Sequence, residues 1–199
     1  MEQRITIMEK PDWISYDHIA ELLHEAHREN VKKGLIYSAS HLSGEEIQAL
    51  LHENGKFYVA LTDDNELVGA SAIEIRERSK RWFAKGQPFG DIKLEGVKPA
   101  FRGMRINSML REAITEYAFQ QVGLLVLDTS EKNKHAIRIN KKRGWKIVDY
   151  TSRQTNNFYS VVMAQWKNGC PFSELERLKN FWRRRNYIRK NLTEYGQRK

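Results

Sequence analysis

Val97-Lys98-Pro99-Ala100-Phe101-Arg102-Gly103-Met104-Arg105-Ile106-Asn107, entered from Asp91 through an alternating run, decides what this 199-residue chain folds into. Lys98-Pro99-Ala100 ends a strand, because proline has no N–H to give to a ladder. Met109, Leu110, Ala113, Ile114, Tyr117 and Ala118 then recur at helical spacing. The pattern predicts a strand, a tight turn and a buried helix. Such a helix leaves its first N–H groups unpaired at the positive end of its dipole, so the turn suits a phosphate or pyrophosphate. Arg102 and Arg105 add positive charge, and Gly103 alone clearly leaves room for close backbone approach. Taken alone, the segment reads equally as a plain structural strand–turn–helix.

On the C-terminal side, residues 123–129 form a nearly continuous apolar run, suited to a strand covered on both faces. A short helix over 133–143 puts Ala136, Ile137 and Ile139 inward and stops at Gly144, and 145–151 with 158–166 read as a strand pair. On the N-terminal side, a short strand at 4–8 precedes a helix marked by Ile19, Leu22, Leu23, Ala26 and Val31 and ended by Gly34. Residues 35–42 read as a loop. Ser43 and Glu46 then form a capping box ahead of Ile47, Leu50 and Leu51, in a helix closing near Asn54-Gly55. Residues 57–61 and 67–73 make a hairpin around 62–66, and 76–88 read as a mobile, charged loop facing a substrate or as a solvated connection.

The order is therefore βααβββαβαββ. Its central strand–helix–strand implies one parallel pair, and the hairpins on each side imply a mixed, mostly antiparallel α/β sheet with helices on both faces. Residues 1–168 would form this domain, and 169–199 a C-terminal amphipathic helical extension. In that extension Leu175, Leu178, Trp182, Ile188 and Leu192 form an apolar face, opposite Arg183, Arg184, Arg185, Arg189 and Lys190.

The chain is 40% hydrophobic and 11% aromatic, enough for a real core. Its net charge of +9 favours anionic partners. From 173 to 199 there are nine Lys/Arg against three Glu, a balance of +6, so most of the basicity belongs to the tail. No stretch approaches the length of a membrane span, and a single Cys170 at an Asn-Gly-Cys-Pro turn points to a structural residue in a reducing, cytoplasmic setting.

The order of elements and two motifs together resemble the GNAT superfamily of acyl-CoA-dependent N-acyltransferases. The first motif is Val97-Lys98-Pro99-Ala100-Phe101-Arg102-Gly103 through Leu110; the second is Asn133-Lys134-His135-Ala136 with Lys142-Arg143-Gly144-Trp145. The resemblance implies the acyl-CoA N-acyltransferase fold and acetyl-CoA as cofactor. Arg102, Gly103, Met104, Arg105, Ile106, Asn107 and Ser108 would hold the pyrophosphate, Val97 at the end of the strand would help align the thioester, and Asn133 would lie beside the pantetheine arm. Two positions depart from the family's glycines, Arg105 and Asn107, which makes the turn bulkier. Many members also carry a tyrosine that protonates the leaving thiolate; the matching position here is Asn140, which resembles a subset with Ile-Asn at this point. An amide has no useful titration, so Asn140 could only donate a hydrogen bond or orient the cofactor.

The implied reaction is direct attack of a neutral primary amine of a small molecule, an amino sugar being the example, on an acyl thioester. A backbone N–H near Val97 would polarise the carbonyl in a gap between that strand and residues 123–129. Glu95, two residues before Val97, would share its face, where desolvation would raise its pKa towards that of a general base. The alternative for Glu95 is a structural carboxylate paired with Lys93 or an arginine. Tyr37 and His41 would border the acceptor pocket. His24 and His27 have metal-compatible spacing but no third ligand, so no metal is expected. Two competing readings remain: a nucleic-acid binder acting through the basic tail, which is not favoured, and a catalytically silent acyl-CoA binder. The tail could also lie on an anionic membrane surface or join two copies as a homodimer.

Overall fold

The computed structural model describes residues 4–51, 54–79, 81–152 and 159–196, with side chains as far as 151 and from 159 to 190 in the last two stretches. The elements are β1 (Ile5–Glu9), α1 (Tyr16–Lys32), α2 (Gly44–Leu50), β2 (Gly55–Thr62), β3 (Leu67–Arg76), β4 (Phe89–Val97), α3 (Ile106–Phe119), β5 (Leu124–Ser130), α4 (Lys134–Lys142), β6 (Lys146–Ser152), β7 (Tyr159–Trp166) and α5 (Glu174–Gly196). This is the order expected from sequence. Of the calls made there, Phe158 and the Leu192 side chain lie outside the described residues.

Local chemistry accounts for the helix starts. Ser15 and His18 cap α1 reciprocally, the Ser15 hydroxyl accepting from the His18 N–H at 3.2 Å. Ser43 and Glu46 do the same for α2, with the Ser43 N–H donating to the Glu46 carboxylate at 2.8 Å. That helix ends at Leu50, sooner than the Asn54-Gly55 pair suggested, because Gly55 already opens β2.

The strands form one seven-stranded sheet in the order β1-β2-β3-β4-β5-β7-β6. Every neighbouring pair is antiparallel except β4 with β5. That parallel pairing spans only three residue pairs, Gly90, Asp91 and Ile92 against Leu125, Val126 and Leu127. Past Ile92 the two strands part. On its other edge β4 carries an irregularity against β3: Ala70 faces Gly96 but Ala72 faces Lys93, so Leu94 and Glu95 stand opposite one residue, with Leu94 at φ 51°. A bulge of this kind bends the strand and re-aims its polar groups.

One sheet face is covered by α1 and α2, whose Ile19, Leu22, Leu23 and Ile47 are buried against Phe57, Val59, Ala70, Ala72 and Leu94. The opposite face takes α3 and, towards β6, α5; Ile114 and Ala118 pack there with Ile73, Ile92, Leu125, Leu127, Trp145, Tyr150 and Phe181.

Two expectations are corrected. The 76–88 segment is solvated only at its ends: residues 76–78 and 85–88 are exposed, but Phe83 and Ala84 are buried among Phe89, Leu124, Val126, Val148 and Phe172, where the aromatic closes the first sheet face beside β5. On α5 the inward face is Phe181 with Ile188 and the half-buried Arg177, Arg185 and Arg189. Leu175 is 78% exposed, Trp182 50% and Leu178 39%, so these three members of the stripe read from sequence face outward while Ile188 turns in. Arg189 turns in because its guanidinium pairs with Glu131 at 2.8 Å and donates to the Tyr150 hydroxyl at 3.2 Å.

Candidate active site

The start of α3 differs from those of α1, α2 and α4. Each of those helices has a side-chain cap, Ser15, Ser43 and Asn133 respectively. At α3 the capping position is Arg105, its side chain makes no cap hydrogen bond, and the first turn contains no acid. Positive helix-end charge and unpaired N–H groups are thus left to an outside anion. Arg105 holds φ 62°, the left-handed conformation that glycine adopts freely, so the turn keeps its shape although the residue is large.

The side chains expected at the cofactor divide by location. Gly103, Met104 and Arg105 are exposed at the turn, and Met104 has 39% of its surface free. Ile106 is buried against Ala60, Val68 and Leu110, so only its backbone can meet a ligand, and Val97 packs at the edge of the same cluster. Arg102 turns away from the helix start: it donates to the Ala26 carbonyl at 2.6 Å and pairs with Glu29 at 2.9 Å, tying the turn to α1.

Behind the turn, Glu95 is gripped from α3. Asn107 Nδ2 donates to one carboxylate oxygen at 2.6 Å, while Arg111 Nε donates to the other at 3.0 Å and Arg111 Nη2 closes the fork. Arg111 lies over the Trp145 ring, its guanidinium carbon 5.4 Å from the centroid. Arg143, just past α4, donates to Asn107 Oδ1 at 3.4 Å and to the Ser108 hydroxyl. The two sequence motifs therefore meet through Asn107, Ser108, Arg111, Arg143 and Trp145. Burial alone would push the Glu95 carboxyl up, but Arg111, Asn107 and Arg143 outweigh it and hold it below its usual value. This reverses the sequence expectation of a raised carboxyl, because the cation that decides the sign comes from α3, at the residue just past the quoted motif.

On the α1 side, Gly96 allows close packing: a Cβ there would lie 2.9 Å from Ala26 Cβ and Leu23 Cδ2. His27 then reaches the bulge, its Nε2 3.0 Å from the Glu95 carbonyl oxygen. Since a carbonyl only accepts, Nε2 carries the proton, and Nδ1 is left to accept from Asn30 Nδ2 at 3.3 Å. Burial pushes His27 below its usual value, against the opposing pull of Glu95, and so favours this neutral tautomer. His24 bonds a different carbonyl, that of Leu42, at 2.9 Å. The two histidines are thus engaged separately, and among the described residues no group of His, Cys, Asp or Glu could hold a metal ion.

Tyr37 stacks near His27, with ring centroids 5.1 Å apart; burial pushes its hydroxyl above the ordinary value, and Asn133 at the start of α4 and Ser130 at the end of β5 pull the other way. His41 closes the turn over Ser38–Ser40 and is exposed. Asn133 also caps α4, its Oδ1 accepting from the Ala136 N–H at 3.1 Å. Asn140 is buried, and its carbonyl accepts from the Arg143 and Trp145 N–H groups.

Sequence reasoning missed His27 as a contact of β4, and it missed Arg111 and the part played by Arg143. A usable signal existed for Arg111, which lies four residues after Asn107 and so shares its helix face. His27 likewise follows the inward Leu23 by four.

A mixed sheet parted at its one parallel pair, with an uncapped helix start beside the parting, is the acyl-CoA N-acyltransferase fold. The chain belongs to the Acetyltransferase (GNAT) family, whose sequence profile matches residues 16–145. Acetyl-CoA is the acyl donor of that family, and the donor set at α3 fits its pyrophosphate. Among solved structures, Arabidopsis thaliana NAA60 in complex with acetyl-CoA superimposes with a TM-score of 0.63 at 18% identity, covering 83% of this chain and 100% of that one. An acetyltransferase from Streptococcus agalactiae gives 0.60 at 22% identity, with coverages of 81% and 98%. The ribosomal-protein-S18-alanine N-acetyltransferase of Escherichia coli gives 0.59 at 12%, with 82% and 94%. No curated protein matches the chain in sequence.

Proposed function

We propose that this chain moves an acetyl group from acetyl-CoA to a primary amine of a small molecule, an amino sugar being the acceptor named, by direct attack of the neutral amine. The observation that carries it is the uncapped, acid-free start of α3 beside the point where β4 and β5 part. The N–H groups of residues 103–107 would take the pyrophosphate, with Arg105 adding field and the Ser108 N–H already given to the Arg105 carbonyl at 2.8 Å, and Asn133 would flank the pantetheine arm. The bound thioester supplies an activated acyl carbon. The protein's part is to orient it, with a backbone N–H of the bulged β4 near Val97 aimed at the carbonyl oxygen.

Glu95 is better suited to positioning than to accepting a proton, because a carboxylate held low and fully hydrogen-bonded is a weak base. Its contacts would fix the bulge from the α3 side as His27 fixes it from the α1 side. We assign the amine's proton to water at the acceptor side, where Tyr37 and His41 border the approach.

The charges on that side support a small hydroxylated amine over a polyamine. Glu74 and Asp91, buried on the sheet face that α1 and α2 cover, have Arg76 at 3.0 and 3.4 Å and Lys93 paired with both, so among the described residues this acidic pair is compensated. The test is thiol release from acetyl-CoA over a panel of amino sugars, polyamines and peptide N-termini, the last because one fold neighbour acts on a ribosomal-protein alanine. Release with an amino sugar is the expected result. Binding of acetyl-CoA with no release across the panel would favour the silent binder, a second reading that Arg105, Asn107 and Asn140 motivate.

A further inference from the structure

Asn140 leaves the departing thiolate without a proton donor at the position where the resemblance calls for one. Tyr37 supplies a phenol at the same gap, from a different element. Its ring lies against His27, which holds the Glu95 carbonyl at the β4 bulge, and Asn133 and Ser130 on the β5 side act on its hydroxyl. It therefore faces the parting between the strands. We propose that Tyr37 protonates the sulfur that leaves when the acetyl group is transferred, and that Asn140 does not. This rests on the acetyltransferase reading above.

The step balances without a further reactant. The amine nitrogen forms a bond to the acetyl carbon, the carbon–sulfur bond breaks with its electron pair going to sulfur, and the Tyr37 O–H proton follows to give the thiol. The phenolate regains a proton from the one the amine has released, through water. Ser130 and Asn133 favour the phenolate by hydrogen bonding, so the charge left on Tyr37 is received by groups already in place. Burial nevertheless keeps the phenol above its ordinary value, so it stays protonated and able to donate at neutral pH. The groups facing it are His27 from α1, Ser130 from β5 and Asn133 from the head of α4.

The test uses coenzyme A itself and no acceptor. The thiol of bound coenzyme A is titrated by its thiolate absorbance in the wild type and in Tyr37→Phe, Ser130→Ala and Asn140→Ala, with the dissociation constant measured in parallel by calorimetry. A phenol donating to sulfur stabilises the thiolate, so Tyr37→Phe is expected to raise the midpoint by at least about one pH unit, a tenfold change, with affinity nearly unchanged. Ser130→Ala should shift it less and in the same direction, and it keeps the question answerable if the Phe variant folds poorly. A midpoint unmoved by Tyr37→Phe and Ser130→Ala, or one moved only by Asn140→Ala, overturns the assignment while leaving the acetyltransferase reading intact. Failure of the wild type to bind coenzyme A overturns both.

Discussion

At the scale of single residues, the site is a set of opposed ties on one bulge. Glu95 is drawn towards α3 by Arg111 and Asn107, and its carbonyl is held towards α1 by His27. Glu95→Gln leaves Arg111, of which 8% of the side chain is exposed, without its counter-charge. The expected loss is about 2–3 kcal/mol in urea unfolding, below the full cost of breaking a buried pair because a quarter of the Glu95 side chain still reaches water. The pH dependence has a definite sign. His27 sits below its usual 6.5 in the folded chain, so the unfolded state binds the proton first and stability falls as pH drops below about 6.5. Glu95 sits below its usual 4.5; its contribution is present above that pH and is lost as pH falls through the lower folded value. His27→Gln keeps a donor for the Glu95 carbonyl, so it should flatten the upper slope between pH 7.5 and 5.5 and spare turnover. His27→Ala should lower kcat about 10- to 100-fold with little change in KM for acetyl-CoA. Arg105→Gly removes a left-handed side-chain residue and should stabilise by about 0.5–1 kcal/mol, read as a rise in Tm. The turn ahead of α3 and the position of Asn133 at the head of α4 were legible because turn chemistry is local. The direction of the Glu95 shift was not, because Arg111 and Arg143 act on it through space from other helices.

At the scale of elements, pattern and packing agree wherever a helix has one partner. The capping box at Ser43 and Glu46 and the apolar spacings of α1 and α3 placed those elements to within a few residues. The central strand–helix–strand likewise announced the parallel pair that proved to be β4 with β5. How soon that pair parts was hidden, since it depends on where the β4 bulge falls. On α5 periodicity allowed more than one face, and tertiary ties chose among them. Arg189 is committed to Glu131 and Tyr150, which rotates Phe181 inward and leaves Trp182 half exposed. Two substitutions separate the faces. Phe181→Ala should cost about 3 kcal/mol, as for a buried aromatic, whereas Trp182→Ala should cost less than about 1 kcal/mol. Equal costs in thermal unfolding would contradict this orientation of the helix.

At the scale of the whole molecule, the question is what an excess of nine positive charges does in an enzyme that uses an anionic cofactor. Among the described residues no helix is long and apolar enough to cross a membrane, and the exposed stripe of Leu175, Leu178 and Trp182 lies on the same helix as the exposed Lys179, Arg183 and Arg184. Removing the helix is a poor way to ask, because Phe181 and Arg189 are built into the β6 side of the core and truncation would confound charge with stability. Reversing charge on the outer face avoids this. Lys179→Glu, Arg183→Glu and Arg184→Glu together change the net charge by six without touching Phe181 or the Arg189 ties. Such a variant should keep its Tm within a few degrees and its dissociation constant for acetyl-CoA within about threefold at 0.15 M salt, since exposed charges farther than about 8 Å are largely screened there. Binding of the wild type to a duplex DNA probe, measured by fluorescence polarisation, should be weak and fall steeply with salt, and it should disappear in the variant. If the wild type holds DNA with a shallow salt slope and the variant loses acetyl transfer as well, the basic face is part of the catalytic function, and α5 belongs to the active unit in more than its packing.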